Sequence, residues 1–254
     1  MKVTLLQTDV SWKSPRQNIA NAESLMAGQP DADVYVLPEM WSTGFLMRPD
    51  GFVGSEDTDE ALAWMRSVAV CRSCAVCGSL SVRVGDGSFR NRHYFIDGRS
   101  HAVHFYDKCH LFSHGGEDVC YTAGTEHTVV DYCGMRLLLL TCYDLRFPCW
   151  SRYTAALQYD TILIVANWPR ARQQAWQVLA QARAIENQCY VVAVNRVGEG
   201  GGSHYVGGSC VVSPQGELLL QCDEKQQLAT AEIFPEEVKK YREGFNVLAN
   251  RDIL

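Results

Sequence analysis

The stretch MRLLLLTCYDLRFP, residues 135–148, decides how the rest of the chain reads. Met135–Thr141 is an unbroken apolar run of strand length, the pattern of a strand buried on both faces of a sheet. It ends at Cys142, and Pro148 lies at the start of a helix expected over Arg146–Gln158. A strand that turns sharply into a helix presents the side chain at the turn, which is the geometry of a nucleophile elbow. The backbone N–H groups that follow, and the positive end of the helix, favour a thiolate and a developing oxyanion. A small buried cysteine closing a strand fits the same letters, so both readings stay open at this point.

Working outward, similar units flank this stretch. Val3–Gln7 reads as a strand; Ser14 and Pro15 then give a helix cap and a first-turn proline. Ile19, Ala22, Leu25 and Met26 follow at helical spacing as far as Gly28. Val34–Leu37 is a short apolar strand that ends at Pro38-Glu39. Thr58 is the expected cap of a helix through Leu62, Met65, Val68 and Ala69. Ala75–Val84, Tyr94–Ile96 and Val103–Tyr106 read as antiparallel strands joined by Gly-rich turns. Beyond the cysteine, Thr161–Ala166 is a buried strand and Ala171–Asn187 a long helix with Trp176, Leu179, Ala180 and Ala184 on one face. Tyr190–Asn195, Ser209–Ser213 and Glu217–Gln221 are further strands. No repeat or composition break divides the chain, so residues 1–254 read as one α/β domain with a two-sheet core and helices outside.

Composition narrows the function classes. The chain has 254 residues, 47% hydrophobic and 20% charged, which excludes a disordered or collagen-like polymer. A net charge of −6 argues against a nucleic-acid partner, which needs a basic face. No apolar run approaches the ~20 residues of a membrane span. The opening MKVTLLQTDV lacks a signal-peptide layout, because Asp9 interrupts its apolar run. Eleven cysteines, an odd number, fit free thiols in a reducing cytoplasm. Cys71, Cys74 and Cys77 form C-x2-C-x2-C, but no second ligand group follows at metal-site spacing; core packing explains them better. Neither a metal nor a cofactor is implied.

Two further positions carry chemistry. Glu39 follows a buried strand directly, where core packing cannot explain a carboxylate; it must be solvated, paired or catalytic. Lys108 ends a β-rich run, as an exposed loop charge or as an anchor for an oxyanion. With Cys142, these groups each lie at the C-terminal end of an apolar segment, the edge where parallel sheets collect ligands. His110 and His114 raise a Cys–His thiol hydrolase as a rival class, although none of the histidines falls in a cysteine-protease signature. A non-catalytic binding protein is the third class, opposed by the presence of all three groups.

The motifs LPEMWSTGF at 37–45, YDKCHLF at 106–112 and CYDLRFP at 142–148 resemble those of the nitrilase, or carbon–nitrogen hydrolase, superfamily. ANWP at 166–169, ARAIENQCYVVAVNRVG at 182–198 and SPQGE at 213–217 extend the likeness over essentially the whole chain. It is most similar to the omega-amidase branch. The resemblance implies a four-layer α-β-β-α sandwich and a homodimer, pairing near Phe147, Trp150 and Tyr153. It implies Glu39 as general base, Lys108 as oxyanion-stabilising lysine and Cys142 as nucleophile. Glu117, seven residues before Gly124, is the candidate for the family's second glutamate, although the loop SHGGED departs from its common forms. The implied substrate is the side-chain amide of a short dicarboxylic acid monoamide, such as 2-oxoglutaramate or 2-oxosuccinamate. Nitriles and N-carbamoyl amines are the alternatives that share the triad. Around it, the Tyr143 backbone N–H is expected to aid the oxyanion. Trp41, Phe45 and Trp168 are expected to line the pocket. Arg172, or else Arg170, is expected to hold the far carboxylate.

Overall fold

Each long apolar run becomes a strand, and the runs sort into two six-stranded sheets. The computed structural model describes residues 1–29, 31–55 and 59–252. In chain order the first sheet holds β1 (Lys2–Gln7), β2 (Val34–Val36), β3 (Ala75–Arg83), β4 (Phe89–Asp97) and β5 (Val103–Asp107). The second holds β6 (Val129–Tyr132), β7 (Met135–Thr141), β8 (Thr161–Ala166), β9 (Tyr190–Asn195), β12 (Cys210–Val212) and β13 (Leu218–Gln221). Between β9 and β12 a hairpin of β10 (Val197–Gly200) and β11 (Ser203–Val206) stands apart, and β14 (Gln227–Glu232) returns to the first sheet beside β1. β1, β2 and β3 run parallel, as do β7, β8 and β9; the flanking strands are antiparallel.

The helices are α1 (Pro15–Met26), α2 (Glu60–Arg72), α3 (Glu117–Cys120), α4 (Pro148–Ser151), α5 (Gln173–Asn187) and α6 (Pro235–Gly244). Alternation along the strands of the first sheet separates two core layers. Tyr35, Val76 and Ile96 face α1 and α2, packing with Ala22, Met26, Leu62 and Met65. Val34, Val36, Ala75, Cys77 and Phe95 face the second sheet and join Leu137–Leu140. Those four leucines are fully buried, each contributing about 2 kcal/mol from removal of apolar surface. Trp176, Ala180 and Ala184 of α5 belong to the same cluster. The result is the expected α-β-β-α order. It also sends Cys74 and Cys77 to opposite core layers, so the two thiols cannot converge on one ion.

Local expectations differ from the structure in four places. The side chain that caps α2 is Asp59, which accepts from the N–H groups of Ala61 and Leu62; Thr58 lies outside the described residues. Ser14 stands at the N-cap position of α1 without capping through its side chain. The helix expected over Arg146–Gln158 shrinks to a 3-10 turn over Cys142–Arg146 and the four residues of α4. Tertiary contacts override its pattern: Trp150 donates to the Tyr106 hydroxyl, and Tyr153 N–H donates to Asn187. Finally, the structure adds β6, the β10–β11 hairpin, β14 and α6 to the expected elements; β14 is an edge strand whose residues are only partly buried or exposed, so it carries no continuous apolar run.

Candidate active site

Four strand ends build the site. Glu39 stands three residues beyond β2, Lys108 directly follows β5, Cys142 directly follows β7 and Asn167 directly follows β8. Parallel pairing of Thr141 with Val165 brings the last two out side by side. Cys142 adopts φ +50°, a left-handed conformation that costs a non-glycine residue about 1–2 kcal/mol. The turn is secured by Asp144, whose carboxylate accepts from Thr141 N–H, Tyr106 O–H and His110 N–H. His110, stacked on Phe147, thus ties the Lys108 loop to the cysteine turn.

Lys108 is sealed from solvent between two carboxylates. Its Nζ donates to Glu39 Oε1 at 2.9 Å and to Glu117 Oε2 at 2.8 Å. Asn91 joins the same pair from the other side, donating to Glu39 Oε1 at 2.8 Å and Glu117 Oε1 at 2.9 Å. Ser79 Oγ donates to the Asn91 carbonyl, which fixes the orientation of that amide. Glu39 Oε2 accepts from the Asn167 N–H at 3.0 Å, and Glu117 Oε2 from the Phe112 N–H at 2.6 Å. Gly124, seven residues after Glu117, sits tight against the end of β5: a Cβ there would lie 2.2 Å from the Asp107 carbonyl, and its N–H donates to Lys108 O.

Burial sets the electrostatics. It works against the Lys108 charge, but Glu117 and then Glu39 outweigh it and hold the ammonium well above the usual lysine range. Burial, reinforced by the Glu39 charge, raises the Glu117 carboxyl despite Lys108. Burial and then Glu39 also push the Cys142 thiol well above its ordinary range, against the pull of Lys108. The lowered thiol pKa expected from the turn therefore does not occur. The turn is short, the site is buried, and the Glu39 carboxylate outweighs Lys108 as the neighbouring charge.

A cavity of about 240 Å³ opens on Cys142. Tyr143, Phe45, Trp168 and Arg172 line it, as do Arg146, Asn167 and Tyr205. Trp41 does not. It is 1% exposed and packs against Trp64 at 5.1 Å in the layer beneath the helices. The side of the loop on which each residue falls decides this, and local sequence does not show it. Arg170 leaves the site as well, pairing with Glu224 at 2.6 Å on the surface. Arg172 lies over the Phe112 ring at 5.0 Å and Arg146 over Trp168 at 4.7 Å. Among the described residues neither guanidinium has an ion-pair partner.

Sequence reasoning missed Asn91, Asn167 and Arg146. Asn91 was within reach: continuing the pairing of Arg92 with Asp107 puts Asn91 opposite Lys108. Arg146 lies in the cysteine motif itself, but the expected long helix concealed that its side chain enters the cavity.

An attackable thiol at a cavity, with a buried carboxylate and a buried cation packed behind it, defines a thiol hydrolase of carbon–nitrogen bonds. Residues 2–243 match the family described as carbon-nitrogen hydrolase, and the chain belongs to that family. It is 40% identical to the omega-amidase YafV of Escherichia coli (strain K12), over 99% of this chain and 97% of that protein. It is 33% identical to the 2-oxoglutaramate amidase of Bacillus subtilis (strain 168), over 96% of this chain and 95% of that protein. Among solved structures, a CN-hydrolase superfamily protein from Xanthomonas campestris, with an arsenic adduct in its active site, superposes with a TM-score of 0.93. It is 34% identical and covers 100% of this chain and 98% of its own.

Proposed function

We propose that this chain is an omega-amidase: it hydrolyses the side-chain amide of short dicarboxylic acid monoamides, 2-oxoglutaramate or 2-oxosuccinamate, to the acid and ammonia. The observation that carries this reading is the pairing of one dry Glu39–Lys108–Glu117 cluster beside Cys142 with two unpaired arginines in the same cavity. The names of the omega-amidase and 2-oxoglutaramate amidase relatives support the same substrate class.

The raised thiol pKa implies a resting S–H that ionises only during attack. As Cys142 Sγ bonds to the amide carbon, its proton passes to Glu39 Oε and the carbonyl π pair moves to oxygen. Lys108 Nζ and the Tyr143 N–H receive that oxyanion; one such donor is worth about 3 kcal/mol in the transition state. Collapse breaks the C–N bond, and Glu39 returns the proton to the departing nitrogen, giving ammonia and a thioester. Water then attacks the thioester carbon, losing a proton to Glu39, which restores it to the leaving sulfur. Glu117 touches no reacting atom; it is a positioning residue that fixes the Lys108 ammonium. Phe45 and Trp168 confine the chain of the substrate, and Arg172 with Arg146 receives its carboxylate and 2-oxo oxygen.

The free thiols suit a cytoplasmic enzyme. A homodimer is supported by the exposed Val178 and Ile185 of α5 and by Phe245 after α6, which together leave apolar surface uncovered. Phe147, Trp150 and Tyr153 are largely occupied within the chain by His110, His127 and Tyr159. Ammonia release from a panel of 2-oxo acid amides, neutral amides, nitriles and N-carbamoyl amines tests the reading. The oxo-acid amides should give the highest kcat/KM; a preference for nitriles or carbamoyl compounds would overturn it. Sedimentation of a species near 28.4 kDa alone would overturn the dimer.

A further inference from the structure

Beside the catalytic cavity lies a second one of about 380 Å³, and the two share Trp12, Met47 and Gly115 as a common wall. Lys13 and Arg48 line the outer cavity, with Leu46 and Val119 among its apolar sides. Lys13 Nζ stands 5.6 Å from the Phe52 ring centre, and neither cation has an ion-pair partner among the described residues. Among those residues no Asp or Glu lines either cavity, in a chain whose net charge is −6. Met47 is unbranched and 39% exposed, so this part of the wall can turn aside without disturbing a packed core. Two unpaired cations over an apolar recess make a site that a carboxylate on a methylene chain completes.

We propose that the outer cavity is a distal subsite of the catalytic cavity, taking the far carboxylate of dicarboxylic ligands longer than the four- and five-carbon acids held by Arg146 and Arg172. The inference rests on the monoamide reading for the placement of the near end at Cys142. It extends the substrate class to amides of longer α,ω-diacids, with methylenes against Leu46 and Val119 and the terminal carboxylate between Lys13 and Arg48.

The test uses protection of Cys142 from iodoacetamide, followed at the Cys142 peptide by mass spectrometry, with succinate and suberate as protecting ligands. In K13Q/R48Q the suberate concentration for half-protection should rise about two- to tenfold, while that of succinate changes by less than about twofold. The charge-retaining K13R/R48K should protect like the parent, which separates loss of charge from loss of fold. Equal changes for both acids, no change for suberate, or no protection by suberate in the parent would each overturn the subsite. Ammonia release is measured separately. Selective suberate protection without turnover of any monoamide sinks the substrate reading and leaves the subsite standing.

Discussion

Replacing Lys108 by methionine removes the cation that lies 2.9 Å from Glu39 Oε1 and 2.8 Å from Glu117 Oε2, all three side chains being fully buried. Removing one partner of a buried ion pair costs about 3–5 kcal/mol, because the charge left behind is neither solvated nor paired. Two carboxylates are left here, bridged only through Asn91. For a chain of this size the loss corresponds to a fall in Tm of roughly 6–20 °C. Its sign with pH follows from the carboxyls. Burial already raises the Glu117 carboxyl and Lys108 opposes that rise, so without Lys108 it rises further and the folded variant holds a proton that the unfolded chain releases. The deficit is therefore small near pH 5, close to the unfolded carboxyl range, and grows as the pH rises through the raised folded value. Adding Glu117→Gln removes one of the two charges and should recover about 2 kcal/mol. Recovery is partial, since glutamine cannot accept from both the Phe112 N–H and Asn91 Nδ2 as Glu117 does. Ammonia release should stay about a hundredfold or more below the parent in both variants, because the oxyanion donor is absent. Thermal unfolding at pH 5 and pH 8, followed by tryptophan fluorescence, reads the first effect. Equal melting deficits at the two pH values, or a further loss on adding Glu117→Gln, would refute the reasoning.

Cys142→Ala and Cys142→Gly should both release no ammonia, and the glycine variant should be the more stable by about 1 kcal/mol, since glycine takes φ +50° without steric cost; denaturant unfolding that ranks alanine higher would contradict the strain at the turn. Burial holds the His93 imidazole down to about 4, outweighing the Leu140 carbonyl beside it. The unfolded chain gains that proton near 6.5 and the folded chain only near 4, so stability falls between those values by up to about 3 kcal/mol; His93→Leu should flatten this slope in urea titrations. Arg172→Ala and Arg146→Ala should each lower kcat/KM for 2-oxo acid amides about 10- to 100-fold and leave a neutral amide of equal length unchanged. An equal fall for the neutral amide would show that the guanidiniums act on the fold alone.

The site was legible wherever chemistry coincided with a strand end. Glu39 and Cys142 each follow an unbroken apolar run and Lys108 ends a β-rich one, and such ends are visible without coordinates. Glu117 was legible only through the family resemblance, which implies a second glutamate seven residues before Gly124. Trp41 and Phe45 show where that method stops. They are four residues apart in one loop, yet one packs under the helices and the other lines the cavity.

The chain by itself determined the buried central strands and the helices α1, α2 and α5, because burial on two faces leaves an apolar run and burial on one leaves a helical period; the resemblance of its motifs supplied the layer order and pointed to Glu39, Lys108 and Cys142 as candidate reacting groups. Tertiary structure alone decided the direction in which the Cys142 thiol is shifted and the reach of the arginines. A turn following a strand argues for a depressed thiol pKa, but desolvation and Glu39, brought from a different sheet, raise it. Arg146, Arg170 and Arg172 look equivalent as letters, yet Glu224 draws Arg170 to the surface while Trp168 and Phe112 hold the other two over the cavity. Such outcomes depend on partners far apart in the chain and on the dielectric they enclose, and neither quantity is written in any local stretch of residues.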